Sequence, residues 1–355
     1  MKVVTDGGVH GWGEATIEGR ESTVQAAIAE LGQLVVGEDP LAVEHDWQIL
    51  HRRFWRGGVV LQTAIGALDQ ALWDIRGKAW GVPVYRLLGG PTRHRLRLYT
   101  HAGIYDPTAA EPEADQARRS GFTAIKTGAW VGDSVLPERE GVSVAVDRYE
   151  RLRVQLGSGI DLLVDNHGRS RSSQASLLGK ELAERGAFWL EEPTAPEDLD
   201  GLARVRAACP TLVLAAGERC YSKKDVLPLL ERRLVDVVQP DLCHAGGITE
   251  CKKIAALAET YGVDVAPHNP RGPVATAAAA HLALAIPNFL ILEFVLGLGE
   301  RSLAASGWVL RDGHLEVPEL PGLGVELDEE ELAANPARHG APVRAYASDG
   351  SVADI

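Results

Sequence analysis

Residues 162–168 read LLVDNHG, a short apolar run that ends in polar side chains. Runs of this kind recur along the chain and give eight strand candidates: LRLYTHAG (96–103), AIKTG (124–128), LLVDNHG (162–168), FWLEEP (188–193), LVLAAGE (212–218), VDVVQPD (235–241), VDVAPH (263–268) and FLILEF (289–294). Most successive runs lie roughly 25 residues apart, which is enough for one strand, one helix and two loops. One longer step predicts an insertion around 129–142. Because buried parallel strands read as continuous apolar runs, the series predicts an α/β fold with an eight-stranded (β/α) barrel.

An open, doubly wound sheet is the alternative that such runs leave open. A dinucleotide-binding sheet of that type would carry G-x-G-x-x-G after a strand, and the sequence contains no such motif. The even spacing of the runs also favours the barrel over the open sheet.

The residues that flank the barrel predict further structure. Residues 1–95 read as a mixed α/β module with a helix over 22–35. A second helix is predicted for 64–80, where apolar residues recur at helical spacing, with Thr63 as its cap. We therefore assign 1–95 to an α+β capping domain, 96–298 to the barrel that carries the active site, and 299–355 to a C-terminal segment that returns to the cap.

Composition and charge exclude several classes of protein. The chain has 355 residues, with 36 Lys and Arg against 49 Asp and Glu and a formal net charge of −13. That charge disfavours nucleic acid or an anionic membrane surface as a partner. No apolar run reaches the length of about 18 residues that would span a bilayer, and the N-terminus lacks the apolar core of a secretory signal. The four cysteines form no CxxC pair, so a cytoplasmic location is expected.

Three consecutive strands are predicted to end in carboxylates, at Asp165, Glu191 and Glu218. The carboxyl ends of barrel strands face one mouth, where active sites lie. Like charges that converge there repel one another unless a cation compensates them. Oxygen ligands without Cys or His favour Mg²⁺ over zinc, so we predict a Mg²⁺ site. The structural alternative is that each acid pairs with a nearby Arg or Lys.

Two histidines at the same mouth are candidates for proton transfer. Asp241 and His268 end the sixth and seventh strands, where a carboxylate on one imidazole nitrogen would raise the basicity of the other. His167 lies two residues after Asp165, so strand alternation predicts that both share one face and that His167 is a proton donor. The structural alternatives are a buried histidine held by an aspartate and, for His167, a contact to loop backbone.

Lys126 and Glu293 complete the set of candidate site residues. Lys126, on the second strand, would contact the substrate, a metal-binding carboxylate or an ion-pair partner. Glu293, on the eighth strand, would hydrogen-bond a substrate oxygen or balance the charge of Lys126. The sequence contains no P-loop, nucleophilic-serine elbow or zinc signature.

These motifs resemble the enolase superfamily, in its mandelate racemase branch. The likeness extends from TDGGVHGWGEA (5–15) through AIGALDQALWDIRGKAWGVPVYRLLGG (64–90) to LEF (292–294), and includes VDNHGR, WLEEP, AGE, QPD and PHNP. It implies an α+β cap over a modified (β/α)₇β TIM barrel, with Mg²⁺ bound and a proton removed next to a substrate carboxylate. Family members normally begin with a further strand and a mobile lid loop, which by this resemblance are missing here.

Within that branch the details resemble dehydratases of acid sugars, through WRGGVV (55–60), DNHGR (165–169) and PHNPRGP (267–273). The implied reaction is loss of the β-hydroxyl from a small-molecule aldonate or aldarate, such as galactonate, to give a 2-keto-3-deoxy acid. The resemblance also implies a homo-oligomer.

The resemblance implies a role for each site residue. His268 would be the base, assisted by Asp241. His167 would protonate the departing hydroxyl, and Glu293 would stabilise the intermediate. Independently of the resemblance, substrate choice is expected to depend on loop residues that include Arg56, His101, Trp130 and Asn269.

Two other functions stay open at this point. Racemases of this branch carry a second basic residue in a K-x-K pattern, where this chain has Lys126-Thr127-Gly128. The sequence therefore favours dehydration over a racemase, epimerase or cycloisomerase of the same scaffold. The other alternative is a metal-binding barrel that is inactive because it lacks the lid segment.

Overall fold

The computed structural model describes residues 1–104, 106–129, 134–135, 138–335, 345–347 and 350–353. Its strands are β1 (Lys2–Val4), β2 (His10–Trp12), β3 (Leu96–His101), β4 (Ala124–Gly128), β5 (Ser134–Val135), β6 (Asp161–Asp165), β7 (Trp189–Glu191), β8 (Leu214–Ala216), β9 (Val237–Val238), β10 (Asp264–Val265), β11 (Leu292–Glu293), β12 (Val309–Arg311), β13 (His314–Glu316), β14 (Ala345–Ala347) and β15 (Val352–Ala353). Its helices are α1 (Glu21–Gly32), α2 (Val43–His51), α3 (Val59–Trp80), α4 (Val84–Leu87), α5 (Ala110–Arg119), α6 (Glu138–Leu156), α7 (Ser172–Glu184), α8 (Leu199–Ala208), α9 (Lys223–Glu231), α10 (Gly247–Thr260), α11 (Pro273–Ala285), α12 (Glu300–Ala305) and α13 (Glu329–Ala334), with a 3₁₀ turn at Pro107–Ala109. In this part of the chain, none of the helices combines the length and the apolar character that crossing a membrane requires.

Seven parallel strands lie side by side in the order β3, β4, β6, β7, β8, β9 and β10. The eighth position completes the ring, because Val265 forms a parallel bridge with Phe289 and β11 pairs with β3, Leu292 opposite Leu98. Each of these strands overlaps one of the eight apolar runs of the sequence. The predicted barrel is confirmed, and the open-sheet alternative is wrong.

One buried side chain from each strand fills the barrel interior. These side chains form one layer: Tyr99, Ala124, Leu163, Trp189, Ala215, Val237, Ala266 and Ile291. Successive side chains of a strand point to opposite faces, so the residue two positions further on returns to the interior. Most of those next positions are polar: His101, Lys126, Asp165, Glu191, Gln239, His268 and Glu293. The alternation thus places a ring of polar and titratable groups above an apolar floor.

The N-terminal residues build the cap from a hairpin and helices. β1 and β2 pair antiparallel, with Lys2 opposite Trp12. The long helix α3 ends at Gly81, whose φ of +70° is the left-handed conformation that glycine adopts without strain. The helix begins at Val59, so Thr63 lies buried inside it, and the prediction that Thr63 caps the helix is wrong. The physical reason is that residues 59–62, between the glycine pair of WRGGVV and Thr63, include no proline or glycine, so the helix can start one turn before Thr63.

The C-terminal residues contact both the barrel and the cap. β12 and β13 form an antiparallel hairpin, and β13 pairs with residues 96–97 at the start of β3. Further on, the Leu323 backbone N–H donates to Asp74 of α3 at 2.7 Å. Glu326 accepts the indole N–H of Trp12 at 2.9 Å. This segment therefore links the first barrel strand to the cap.

Asp46 of α2 is buried, and among the described residues neither of its carboxylate oxygens has a hydrogen-bond partner. Burial raises the pKa of Asp46 from 3.8 to about 6. Burial therefore favours the protonated form of Asp46 in the folded state. The free energy of unfolding is highest below the unfolded-state pKa of 3.8 and falls as the pH rises through about 6, because the carboxylate must then be charged where it is buried. We expect Asp46→Asn to match the unmodified protein in unfolding free energy at pH 4 and to exceed it by about 1 kcal/mol at pH 8. Urea denaturation measures both values, with the exposed Glu231→Gln as a neutral control, and a less stable Asp46→Asn at pH 8 would contradict the prediction.

Candidate active site

Asp165 and Glu191 stand side by side at the ends of neighbouring strands. β6 and β7 pair in parallel with Asp165 opposite Glu191, and both side chains are buried. Glu218 follows β8 by two residues and is buried as well. Burial, reinforced by the neighbouring carboxylates, raises the pKa of Glu191 and of Glu218 well above the ordinary value. The fold thus brings the three predicted metal ligands to one mouth, where their charges need compensation.

Lys126 of β4 lies among these acids. Its Nζ is 3.2 Å from Asp165 Oδ2 and 2.8 Å from Glu191 Oε1. It is also 2.7 Å from Glu293 Oε1. Burial opposes the charged form, but the carboxylates raise the pKa of Lys126 well above its ordinary value. The contacts of Lys126 in this structure are therefore ion pairs, in which one ammonium group faces three carboxylates.

The mouth contains oxygens that fit a cation. Asp165 Oδ2 and Glu218 Oε2 are buried and accept no hydrogen bond within the described residues, and Asp165 Oδ2 has only the ion pair with Lys126 and a 3.5 Å approach of His167 Nε2 beside it. One atom each from Asp165, His167 and Glu218 lies within 4.8 Å of the other two. The set consists of two carboxylate oxygens and one imidazole nitrogen, with His167 where Glu191 was predicted, and its two oxygens fit a hard divalent cation. Glu191 differs, because the indole N–H of Trp189 donates to one of its oxygens at 3.1 Å and the lysine binds the other.

His268 and Asp241 are in direct contact. His268 Nδ1 lies 2.9 Å from Asp241 Oδ2, and His268 Nε2 lies 3.6 Å from Glu218 Oε2. The other oxygen of Asp241 accepts two backbone N–H groups. Burial opposes the charge on Asp241, but His244, Arg271 and His268 hold the pKa of Asp241 well below its usual value. A charged carboxylate therefore fixes the imidazole through Nδ1 and directs Nε2 toward the mouth.

His167 reaches the mouth through a turn. β6 ends at Asp165, and His167 has a φ of +48°, in the left-handed region. The predicted strand alternation from 165 to 167 is therefore wrong. The backbone N–H of His167 donates to Asp165 Oδ1 at 2.9 Å, and this turn brings His167 Nε2 to 3.5 Å from Asp165 Oδ2. Burial lowers the pKa of His167 to about 4.

Glu293 on β11 is held by several donors. Its Oε1 lies 2.6 Å from His101 Nε2 and also binds the lysine described above. Its Oε2 accepts the backbone N–H of Asn269 at 2.7 Å. Two of the residues expected to influence substrate choice therefore contact this carboxylate, and of these His101 lies at the end of β3 rather than in a loop. Of the other two, Arg56 lies in an exposed loop, and Trp130 lies outside the described residues.

Sequence reasoning missed other polar groups at the mouth. Glu192 and Arg219 form a bidentate ion pair at 2.8 and 2.6 Å. Gln239 is fully buried, and its side-chain amide has no hydrogen-bond partner within the described part of the chain. Arg271 binds Asp241 Oδ2 at 3.1 Å. A signal for them exists in the sequence, since Glu192, Gln239 and Arg271 lie in WLEEP, QPD and PHNPRGP and Arg219 directly follows AGE.

Two family models match the chain. The mandelate racemase / muconate lactonizing enzyme N-terminal domain matches residues 1–89. The enolase C-terminal domain-like model matches residues 109–331. The two matches follow each other without overlap, in the order of the cap and the barrel.

Known proteins of similar sequence and structure agree with these matches. A D-galactonate dehydratase from Ralstonia pickettii (strain 12J) is 40% identical over 366 residues, which cover 100% of this chain and 95% of the relative. The crystal structure of an enolase from Agrobacterium radiobacter, a candidate galactarate dehydratase with Na and L-malate bound, has a TM-score of 0.92 at 34% identity, covering 100% of this chain and 95% of the other. The 3,6-anhydro-D-galactonate cycloisomerase from Zobellia galactanivorans has a TM-score of 0.83 at 33% identity, covering 94% and 92%. The chain therefore belongs to the mandelate racemase / muconate lactonizing enzyme family of the enolase superfamily.

Proposed function

We propose that the protein is a Mg²⁺-dependent dehydratase of acid sugars, with D-galactonate as the leading substrate. Identity of 40% with a D-galactonate dehydratase along the whole chain supports this reaction. The observation that carries the proposal is a pair of imidazoles at one mouth, each beside a carboxylate that fits a cation. His268 Nε2 lies 3.6 Å from Glu218, and His167 Nε2 lies 3.5 Å from Asp165.

Elimination of water from an acid sugar needs a base for the α-proton and an acid for the departing hydroxyl. His268 would take the α-proton on Nε2, while Asp241 holds Nδ1 and stabilises the imidazolium. His167 would donate a proton to the β-hydroxyl. An anionic substrate beside this ring favours the charged form that the donation requires. The resulting enol tautomerises to a 2-keto-3-deoxy acid.

The acids of the mouth would serve the same reaction. The proposed cation ligands are Asp165, Glu191 and Glu218. When bound, Mg²⁺ would supply positive charge against the negative charge that develops on the substrate carboxylate. Glu293 would hydrogen-bond a substrate oxygen, and Lys126 would balance the buried acids and approach the substrate carboxylate.

Product formation tests the proposal. A panel of aldonates and aldarates is incubated with the protein and Mg²⁺, and a semicarbazide-reactive 2-keto acid with the mass of substrate minus one water is the expected product. Conversion of another acid sugar but not of galactonate would change the substrate and keep the reaction. No product from the whole panel would contradict the proposal and favour a metal-binding barrel without catalysis.

Isomerisation without loss of water is the second candidate, favoured by the likeness to a cycloisomerase. It would give exchange of the α-proton with solvent deuterium and a product of unchanged mass. Gly128 provides no second base at the end of β4, which disfavours a two-base racemase. Mass spectrometry of the product separates the two candidates.

Mg²⁺ should raise the thermal unfolding midpoint, because a cation that binds only the folded state stabilises that state. At 100 times its Kd the gain is about 2.7 kcal/mol. Glu218→Gln should lose most of this gain, since it replaces a carboxylate of the mouth with a neutral amide that has one oxygen. The exposed Glu231→Gln should keep the gain. Scanning fluorimetry with Mg²⁺ and with EDTA measures the shifts, and equal shifts in the two variants would remove Glu218 from the ligand set.

His167→Asn should separate the two proton transfers. We expect water elimination to fall by at least about 10²-fold, since the asparagine amide cannot transfer a proton to the hydroxyl. Exchange of the α-proton with solvent deuterium should persist, because His268 is untouched. Proton NMR in D₂O follows both, with His45→Asn, an exposed histidine of α2, as control. Undiminished elimination would show that another group is the acid.

We also propose the remaining features of the molecule. Residues 1–95 would form the capping domain, 96–298 the barrel and 299–355 the C-terminal segment. The protein would be a homo-oligomer. It would be cytoplasmic, which is consistent with its four free, buried cysteines. Light scattering on purified protein measures the oligomeric state.

A further inference from the structure

The cap segment that follows β2, residues 13–18, contacts the barrel at every second residue. The Glu14 carboxylate accepts two backbone N–H groups at the start of α11, at 2.6 and 3.1 Å. The Thr16 carbonyl lies 2.8 Å from Nε2 of His244. Glu18 then forms an ion pair at 2.7 Å with a buried arginine. The side chains of Glu14 and Glu18 and the carbonyl of Thr16 therefore place this segment along the loops that follow β9 and β10.

That arginine is Arg271, three residues after His268. Its side chain is 3% exposed, and its Nε and Nη2 lie 3.2 and 3.1 Å from Asp241 Oδ2. The same oxygen contacts His268 Nδ1 at 2.9 Å. A guanidinium offers several donors in one rigid plane, so it fixes the orientation of a carboxylate more tightly than a single donor does. Arg271 therefore connects Glu18 of the cap to the oxygen that orients His268.

The two partners of Arg271 differ in their surroundings. Asp241 is buried in the barrel mouth, whereas the Glu18 side chain is 74% exposed. In addition, Nε2 of His244 lies 3.3 Å from Arg271 Nη2. Of the two ion pairs, the one with Glu18 reaches solvent, and it is the one that a shift of the cap segment would change.

We propose that Arg271 is a positioning residue, which holds Asp241 so that His268 presents Nε2 to the substrate, and that Glu18 fixes Arg271 from the cap. The proposal deepens the proposed function and rests on it. It makes the orientation of the base depend on a residue outside the barrel.

Steady-state kinetics with galactonate and Mg²⁺ test the proposal. Arg271→Met should lower kcat by about 10²-fold, the usual loss when an orienting partner is removed, with a much smaller change in KM. Arg271→Lys should restore part of the loss. Glu18→Gln should lower kcat by about 10-fold in the native background and not at all in Arg271→Met, because it acts through Arg271. Arg86→Met, which removes the exposed ion pair with Glu319, is the matched control and should leave kcat unchanged.

Other outcomes would overturn the proposal. If the losses in kcat of Glu18→Gln and Arg271→Met multiply in the double variant, the two residues act independently and Glu18 does not act through Arg271. A higher KM with unchanged kcat would make Arg271 a substrate-binding group instead. If Arg271→Met does not fold, Arg271→Lys and Glu18→Gln decide the question.

A crystal structure of Arg271→Lys gives a readout that does not require turnover. We expect His268 Nδ1 to move away from Asp241 Oδ2, and a contact that stays at 2.9 Å would overturn the positioning role. If the unmodified protein converts no acid sugar, the proposed function fails while this measurement still decides the role of Arg271.

Discussion

Replacing His268 with asparagine should lower the rate of water elimination by at least about 10³-fold. Exchange of the substrate α-proton with solvent deuterium should fall with it. The reason is geometric, since His268 is the imidazole that Asp241 holds through Nδ1 and whose Nε2 lies 3.6 Å from Glu218. Coupled assays of keto-acid formation and NMR of the α-proton measure the two rates.

The pattern across variants distinguishes a base from a structural residue. His268→Asn should lose both rates, whereas His167→Asn should lose elimination alone. His45→Asn, on the exposed side of α2, should lose neither. Retention of deuterium exchange in His268→Asn would show that another group removes the proton.

The largest effect on stability is expected for Lys126→Met. This change leaves Asp165, Glu191 and Glu293 buried without the ammonium group that lies 2.7 to 3.2 Å from their oxygens. Removing one partner of a buried ion pair typically costs about 3–5 kcal/mol, so the loss in EDTA should fall in that range. Mg²⁺ should restore part of it, because a cation compensates the same charges. Urea denaturation with and without Mg²⁺ measures both effects.

A matched lysine provides the control for this experiment. Lys180→Met alters an exposed lysine of α7 and should change the unfolding free energy by less than about 0.5 kcal/mol. A loss below about 1 kcal/mol for Lys126→Met in EDTA would contradict the prediction, because it would mean that the acids are already neutral or solvated.

The barrel and its acids were predictable because they depend on short-range patterns. Each apolar run overlaps one observed strand, and a carboxylate at a strand end is carried to the common mouth by the fold itself. The contact between Asp241 and His268 followed from neighbouring strand ends in the same way. These predictions needed only the order of the strands and the direction in which they run.

What escaped the sequence depends on contacts between distant segments or on local turns. The Glu18–Arg271 ion pair joins residues 253 positions apart, and no periodicity relates them. Strand alternation predicts the wrong route for His167, which reaches the mouth through a left-handed turn whose backbone N–H donates to Asp165. The sequence does not reveal that α3 starts before Thr63, because the residues just before Thr63 are equally compatible with a helix.

The hairpin of β12 and β13 completes the sheet after the last barrel strand in the chain. All eight barrel strands have been synthesised by Glu293, yet the first two residues of β3 pair with β13, which arrives later. Gly313, in the hairpin turn, also lies against the backbone of Gly121 and Phe122, just before β4. When Glu293 has just emerged from the ribosome, the backbone amides at the start of β3 are therefore still unpaired at the amino-terminal rim of the barrel. Truncation or fusion before residue 316 would leave the same rim open to association with other chains.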